Sequence, residues 1–374
     1  MPKAKKKLLP KDFASLLKAG DLAALKGVFE TCELDARGGY GKQTALAFYD
    51  CPDGLAHWLV EQGADLEARD TYNRTPLHNL ASGRFSQVVT LLDLGADIHA
   101  TDNEAETPLH KAAKSGNAEA VRVLVDRGAR ADALNAAGLS PLAAALQYCS
   151  NGQIEPMAAI AELLLAAVAP APRPSGLRGL VKRVFATGRE ERAPVTARMR
   201  AFVQRIGENF EFHRAGFNPD SVEATSAALG RLYALFDVPP VPRRQVYDGR
   251  SPIVAKSTRW QDQHQELWTL LVPSQGPAST VQGEVIRIAG RIADEVDRNG
   301  AANWDADYGK MARAFLSHIG SGAPLPDADR DRAAQLVAKV RALDGAGAGL
   351  CELAVHWVKL NPTPAPLDPP AYTR

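Results

Sequence analysis

The tetrapeptide Thr-Pro-Leu-His stands at Thr75–His78 and recurs at Thr107–His110. Aligned on it, the chain shows Thr44-Ala-Leu-Ala, the two Thr-Pro-Leu-His copies and Ser140-Pro-Leu-Ala, at intervals of 31, 32 and 33. A second mark keeps the same register: Gly63-Ala-Asp, Gly95-Ala-Asp and Gly128-Ala-Arg, at intervals of 32 and 33. Two independent marks in one register constrain the fold more than any composition does. A period of this length belongs to stacked supersecondary units, none of which can bury its apolar face alone.

Each unit has a physical logic. Thr-Pro opens a helix, with Thr as the cap and Pro at the first helical position, where its missing N–H costs nothing. A short helix such as PLHKAAKSG follows and Gly116 ends it. A second amphipathic helix, AEAVRVLVDRG, puts Val121, Leu124 and Val125 on one face, and Gly128 suits the left-handed residue that closes it. The residues up to the next Thr-Pro form a projecting loop.

This unit resembles the ankyrin repeat, with its period of 33 and its T-P-L-H-x-A signature. The resemblance covers residues 11–170 and is strongest at Arg69–Ala133. LLKAGDLAALKGVFE is read as an N-terminal capping unit without the Thr-Pro start. The second unit departs with TALAFYDCPDG, and the fifth carries an extra stretch, QYCSNGQIEP, between its helices. The recurring histidines invite a catalytic reading, but in ankyrin repeats this His is structural and ties neighbouring loops together. The resemblance also implies a protein partner held by the concave side and the loop tips. Those tips carry Glu67, Arg69, Tyr72, Asn73 and Arg74 in one loop and His99, Asp102, Asn103, Glu104 and Glu106 in the next. Arg69, Tyr72, Asn73, Arg74, His99, Asn103 and Glu104 are the candidate partner-binding residues, Tyr and Arg being enriched at binding hot spots. The competing reading of each is a solvated loop residue.

Composition adds bounds. With 45% hydrophobic and 23% charged residues and a net charge of +1, the 374-residue chain has no global pull toward nucleic acid or membrane. Cys32, Cys51, Cys149 and Cys351 are scattered, so neither a zinc site nor a disulfide framework is expected, and no cofactor or metal is implied. The basic start MPKAKKKLLPKDF lacks an apolar continuation, and MAAIAELLLAAVAPAP is too short to span a bilayer. A cytoplasmic location is expected.

After Ala169 the sequence changes. PAPRPSG reads as a linker, and nine Lys/Arg between Arg173 and Arg205 face only Glu190 and Glu191. GLRGLVKRVF is a short basic amphipathic pattern. It fits a helix docked on the last repeat, or association with nucleic acid or anionic lipid. TARMRAFVQRIGENFEFHRAGF and NPDSVEATSAALGRLYALFDV read as helices, the second with a capping-box spacing at Asp220 and Glu223.

The most distinctive stretch runs from Trp260 to Met311. A helix at Trp260–Leu271 is expected, then a loop, then a helix at 279–299 that starts at Ser279 with Gln282 at the capping-box position and stops at Asn299-Gly300. Val281, Val285, Ile288, Ile292 and Val296 form its core stripe. Glu284, Arg287, Arg291, Glu295 and Arg298 form a second, charged stripe at helical spacing. Gly283 and Gly290 lie seven apart, and two helix-weakening glycines on one face imply close packing there. The charged stripe reads as a solvated ion-pair ladder, as a partner or anion site through Arg287 and Arg291, or as a catalytic cluster with Glu284 or Glu295 as base near Asn303, Trp304 and Asp305. Arginines beside a carboxylate lower its pKa and make it a poor base. LVPSQGPAST at the helix start could take an anion but lacks phosphate-loop spacing. No nucleophile–base pair, phosphate loop or metal cluster supports an enzyme. Residues 258–320 are also similar to a small helical domain of uncharacterised bacterial proteins, which implies no activity.

The expectation is therefore an all-α chain: a basic arm at 1–10, an ankyrin solenoid of about five units at 11–170, a basic linker at 171–194, a helical domain at 195–361 and a disordered proline-rich tail at 362–374. The expected function is protein binding, in one form a bacterial immunity-type or regulatory protein that sequesters its target. An enzyme with its site on the 279–299 helix, and nucleic-acid or lipid association through the linker, are the alternatives.

Overall fold

The computed structural model describes residues 4–83, 87–168, 195–245, 247–340 and 345–373. The linker at 171–194, with the GLRGLVKRVF pattern read there, lies outside these residues, while the end of the basic run, Arg198, Arg200 and Arg205, lies within them. Sixteen α-helices account for most of the described chain, which is all-α apart from one pair of short strands. The chain forms two compact units, residues 1–210 with 218–241, and residues 211–217 with 242–374.

The first unit begins on that strand pair. Lys6–Leu8 lies parallel to Cys32–Arg37, and Lys5 Nζ donates to the Phe29 carbonyl at 2.7 Å. The N-terminal arm is therefore partly built into the fold. Helices Phe13–Ala19 and Leu22–Thr31 form the first unit of the stack. Asp21 caps the second of them through the Ala23 N–H at 2.9 Å. Phe13 meets Phe29 and Phe48 edge-on and closes this end of the core. In the second repeat Thr44 has no proline after it, and only one 3-10 turn forms, Ala45–Ala47, before helix Asp53–Glu61. The next two repeats follow the expected plan, with helix pairs Pro76–Ala81 and Val88–Asp93, then Pro108–Ser115 and Ala118–Asp126. Gly63, Gly95 and Gly128 take φ of 95°, 97° and 91° at the helix ends, a conformation that favours glycine. The fifth repeat pairs Pro141–Tyr148 with Ile154–Val168, and its extra stretch holds the turn Asn151–Gln153.

Two further helices, Ala197–His213 as far as Phe210 and Pro219–Phe236, belong to this unit rather than to a separate domain beginning at 195. The reason lies in the last repeat, whose helix Ile154–Val168 buries Met157, Ile160, Ala161 and Leu164 and needs a cover. The added helices bury Met199, Val203, Ile206, Phe210, Leu229, Leu232 and Phe236. Polar ties fix the docking. Thr225 Oγ1 donates to Glu155 at 2.9 Å and Arg205 Nη2 to the Leu146 carbonyl at 3.2 Å. Gly207 is required where the pair crosses, because a Cβ there would overlap the Tyr233 hydroxyl. Asn218, not Asp220, caps the second helix, accepting from the Asp220 N–H.

The second unit is organised around the helix Val281–Ala293, enclosed by Trp260–Leu271, Ala306–Ile319 and Ala346–Leu360. Residues 282–289 are all buried. Thr280 caps this helix through the Gly283 N–H at 3.1 Å, one residue after the expected start. The α-helix ends at Ala293 and one π turn, Asp294–Arg298, leads to Gly300 at φ 60°. The two glycines mark a close approach, as their spacing implied. A Cβ on Gly283 would lie 2.8 Å from Ala278 Cβ, and one on Gly290 would overlap the Trp268 ring. Tyr308, Met311, Phe315 and Ile319 are buried together, on the expected face.

The tail expected to be disordered is packed against this unit. The Val281 N–H donates to the Ala365 carbonyl at 2.9 Å, and Leu367 N–H to the Ser279 carbonyl at 3.3 Å. Gln282, expected to complete a capping box, instead donates to the Asn361 and Thr363 carbonyls and accepts from the Ala365 N–H. Prolines give up their N–H but keep a carbonyl acceptor and a restricted φ, so a proline-rich strap loses little entropy on docking. Among the described residues no helix is long and apolar enough to cross a membrane.

Candidate functional site

The three loops that precede Thr75, Thr107 and Ser140 repeat one construction. Asp70 Oδ1 accepts from the Tyr72 and Arg74 N–H groups, Asp102 Oδ1 from Glu104 and Glu106, and Asn135 Oδ1 from Ala137 and Leu139, all at 2.8–3.0 Å. Each loop places one residue at positive φ: Asn73, Ala105 and Gly138. Adjacent loops are joined by main-chain bonds. Thr71 donates to Gly41, Asn103 to Tyr72 and Ala136 to Glu104, at 2.9, 3.3 and 2.8 Å. The tips thus form a rail of fixed register.

The histidines brace this rail. His78 Nδ1 accepts from the Thr75 N–H at 3.2 Å, and its Nε2 donates to the Glu106 carbonyl of the next loop at 2.9 Å. His110 does the same with Thr107 and the Leu139 carbonyl. Both rings are fully buried. Burial disfavours the charged imidazolium, so His78 is held down to about 4 and His110 is shifted the same way. They are neutral struts, in keeping with the structural reading of the motif.

The candidate tip residues divide into two kinds. Arg69 is a tie: its Nη1 donates to the Asn73 carbonyl at 2.9 Å and the Thr101 carbonyl at 2.5 Å. Arg37 makes the matching bond to the Arg69 carbonyl one repeat earlier. Arg74 is half-buried. Its guanidinium lies 4.9 Å from the Tyr72 ring centroid and its Nε 3.6 Å from Asp102. Tyr72, Asn73, His99, Asn103 and Glu104 are exposed.

Beneath the tips lies a charged network that the motif reading did not foresee. Lys111 Nζ sits 2.7 Å from Asp102 and 2.5 Å from Glu106, while Lys114 reaches Glu106 at 2.8 Å. Asn135 Nδ2 also donates to Glu106. Burial alone would raise both acids, but the lysine hydrogen bonds and charges more than offset it and hold Asp102 and Glu106 below the ordinary carboxylate range. Tyr40, Tyr49 and Tyr148 were also missed. They are 94%, 52% and 60% exposed, and Lys114 lies over the Tyr148 ring at 4.9 Å. The register does not single them out: it places Gly41, not Tyr40, at the position of Tyr72.

The charged stripe of the second unit is not a solvated ladder. Glu284 and Arg287 are 0% and 1% exposed. Glu284 Oε2 accepts from Arg287 Nε at 2.8 Å and the Ala278 N–H at 2.9 Å. Its Oε1 accepts from Arg287 Nη2 at 2.6 Å and the Tyr372 hydroxyl at 2.7 Å. Burial pushes this carboxyl up, but Arg287, Ala278 and Tyr372 outweigh it and leave it below its ordinary value. The chain's own carboxylate therefore takes the helix start that an outside anion could have used. Glu295 lies about 16 Å further along the helix at roughly 1.5 Å per residue. It accepts from the Asn303 N–H and the Asn299 and Asn303 side chains. Asp305 caps the next helix and Trp304 stacks on Tyr308 at 5.2 Å. Arg291 is half-buried between these two ends, and Arg298 pairs with Asp294 rather than Glu295. Glu284 and Arg287 are thus brought together, as are Glu295 and Asn303, but the two groups form no common cleft. Among the described residues no three His, Cys, Asp or Glu side chains are placed to hold a metal ion.

The family model of ankyrin repeats (3 copies) matches this chain twice, at residues 44–129 and 80–169. No curated protein matches the chain. The loop rail, the histidine struts and these matches agree, and the N-terminal region of this chain is an array of ankyrin repeats.

Proposed function

We propose that the array holds a protein partner on its loop rail, and that binding sequesters or regulates that partner. Ankyrin repeats are in general interaction scaffolds, which supports the class of function. The observation that carries the reading is the state of the tips. Tyr72, Asn103 and Glu104 are exposed on loops that are already locked to one another through Asn103 N–H to Tyr72 O and Ala136 N–H to Glu104 O. A contact made from a pre-ordered loop backbone costs less conformational entropy, so more of its gross energy becomes affinity. Of the sequence candidates, Arg69 acts by holding the loop, while Tyr72, Asn73, His99, Asn103 and Glu104 are available for contact. The enzyme alternative finds less support, because Glu284 is fully buried and held ionised by Arg287.

The test is affinity purification from cells that make the protein, with the wild-type chain and with Tyr72→Ala/Arg74→Ala. A partner retained by the wild type and released by the variant supports the reading. A partner held equally by both moves the interface off the rail.

A further inference from the structure

We infer that the rail takes a basic protein segment and grips it through arginine; this rests on the array being the binding surface. Between Glu33 and Ser140 there are ten basic and sixteen acidic residues, a net charge of −6 in a chain that totals +1. Apart from Lys42 and the exposed Arg130, the basic residues near the tips are already engaged. Arg69 and Arg37 bond loop carbonyls, Arg74 lies against Tyr72 and Asp102, and Lys111 and Lys114 neutralise Asp102 and Glu106.

The exposed acids are less engaged. The Glu104 side chain is 68% exposed, and its cation neighbour, Lys114 at 3.9 Å, is held closer by Glu106. Asp65 and Asp97 are open to solvent, and Asp132, 59% exposed, lies 3.8 Å from the exposed Arg130. Such a surface repels phosphate backbones and acidic peptides and attracts cations.

Tyrosines narrow the class further. Tyr72 and Glu104 occupy one register position in successive loops, and Tyr40 stands beside the corresponding residue of the loop before them, Gly41. Tyr40 is 94% and Tyr72 43% exposed. The Asn103–Tyr72 main-chain bond sets Tyr72 beside the Glu104 loop. An aromatic face next to a carboxylate suits a guanidinium, which stacks and pairs at once. An ammonium does this less well, because it is a compact, strongly hydrated point charge. The array already contains one such arrangement, Arg74 over Tyr72 and near Asp102.

The test uses fluorescence polarisation on the full chain with dye-labelled synthetic peptides of equal length, in which Gly/Ser spacers separate arginines, lysines or glutamates. Tighter binding of the arginine peptide is expected, with loss of about tenfold in affinity for Tyr72→Ala and for Glu104→Gln. Tyr72→Phe, which keeps the ring, and Glu61→Ala, on an exposed helix end away from the tips, should bind as the wild type does. Equal binding of arginine and lysine peptides, preference for the glutamate peptide, or indifference to Tyr72→Ala or Glu104→Gln would overturn the inference. If the peptides fail while Tyr72→Ala/Arg74→Ala still releases a captured partner, the partner class is wrong and the array reading stands. If that variant also keeps its partner, both fall.

Discussion

Replacing Tyr372 by Phe deletes one hydroxyl and leaves the buried ring in place, so it isolates the bond that joins the tail to the central helix. That hydroxyl donates to Glu284 Oε1 at 2.7 Å in a site where Glu284 is 0% exposed. A hydrogen bond to a buried charged group is worth about 1.5–3 kcal/mol. Glu284 keeps Arg287 and the Ala278 N–H after the change, which places the expected loss at the lower end, about 1.5–2 kcal/mol. At roughly 3 °C per kcal/mol for a unit of this size, the melting transition of the second unit should fall by about 5 °C. Tryptophan fluorescence is a selective reporter, because Trp260, Trp268, Trp304 and Trp357 lie in this unit and only Trp58 lies in the repeats. Tyr372→Ala also removes a buried ring and should cost about 3 kcal/mol or more. Thr373→Ala removes only a solvent-exposed hydrogen bond to Asp307 and should cost less, about 0.5–1 kcal/mol. A Tyr372→Phe protein that melts with the wild type would refute the claim that the tail is fixed by this buried bond.

Other consequences follow from the same geometry. His78 is buried and held near pH 4, so between its ordinary value of 6.5 and about 4 the unfolded chain binds a proton that the folded chain refuses. Stability of the repeats should therefore fall on acidification through that window, by about 3 kcal/mol from this group, and His78→Gln should lose that part of the slope in denaturant titrations at pH 7 and 5. The stabilisation from Asp102 and Glu106, whose folded values are depressed, is present at neutral pH and disappears only at lower pH. Lys111→Met leaves Asp102 and Glu106 short of their nearest cation in a buried site and should cost about 3 kcal/mol in urea melts of the repeats. Gly290→Ala gains about 1 kcal/mol of helix propensity but overlaps the Trp268 ring. A net loss of about 1–2 kcal/mol is expected, and a stabilised variant would show that the ring moves aside freely.

The register of Thr75, Thr107 and Ser140 made the repeats legible, because Thr-Pro and Gly-Ala act locally, through a helix cap and a left-handed helix end. The structural role of His78 and His110 was legible too, from the ankyrin resemblance and from their own recurrence at the repeat period. The charged stripe was not. Glu284 and Arg287 sit three apart on a helix, a spacing equally suited to a solvated pair and a buried one. The helices around them and Tyr372, far along the chain in a proline-rich tail whose composition reads as disorder, complete their surroundings. The boundary at 195 failed similarly. A shift in composition marks where the chain changes character, but whether the next helices cover the last repeat depends on the exposed apolar face of Ile154–Val168. The loop acids were visible in the sequence, whereas their division between Lys111, Lys114 and solvent depends on which side of each loop faces the helices.

The claim that the rail is the working surface is tested most directly by hydrogen–deuterium exchange on the captured complex. The account predicts slowed exchange in the loops at residues 70–74 and 102–106 relative to the free protein. Protection confined to residues 242–373, with these loops exchanging as they do in the free chain, would contradict it.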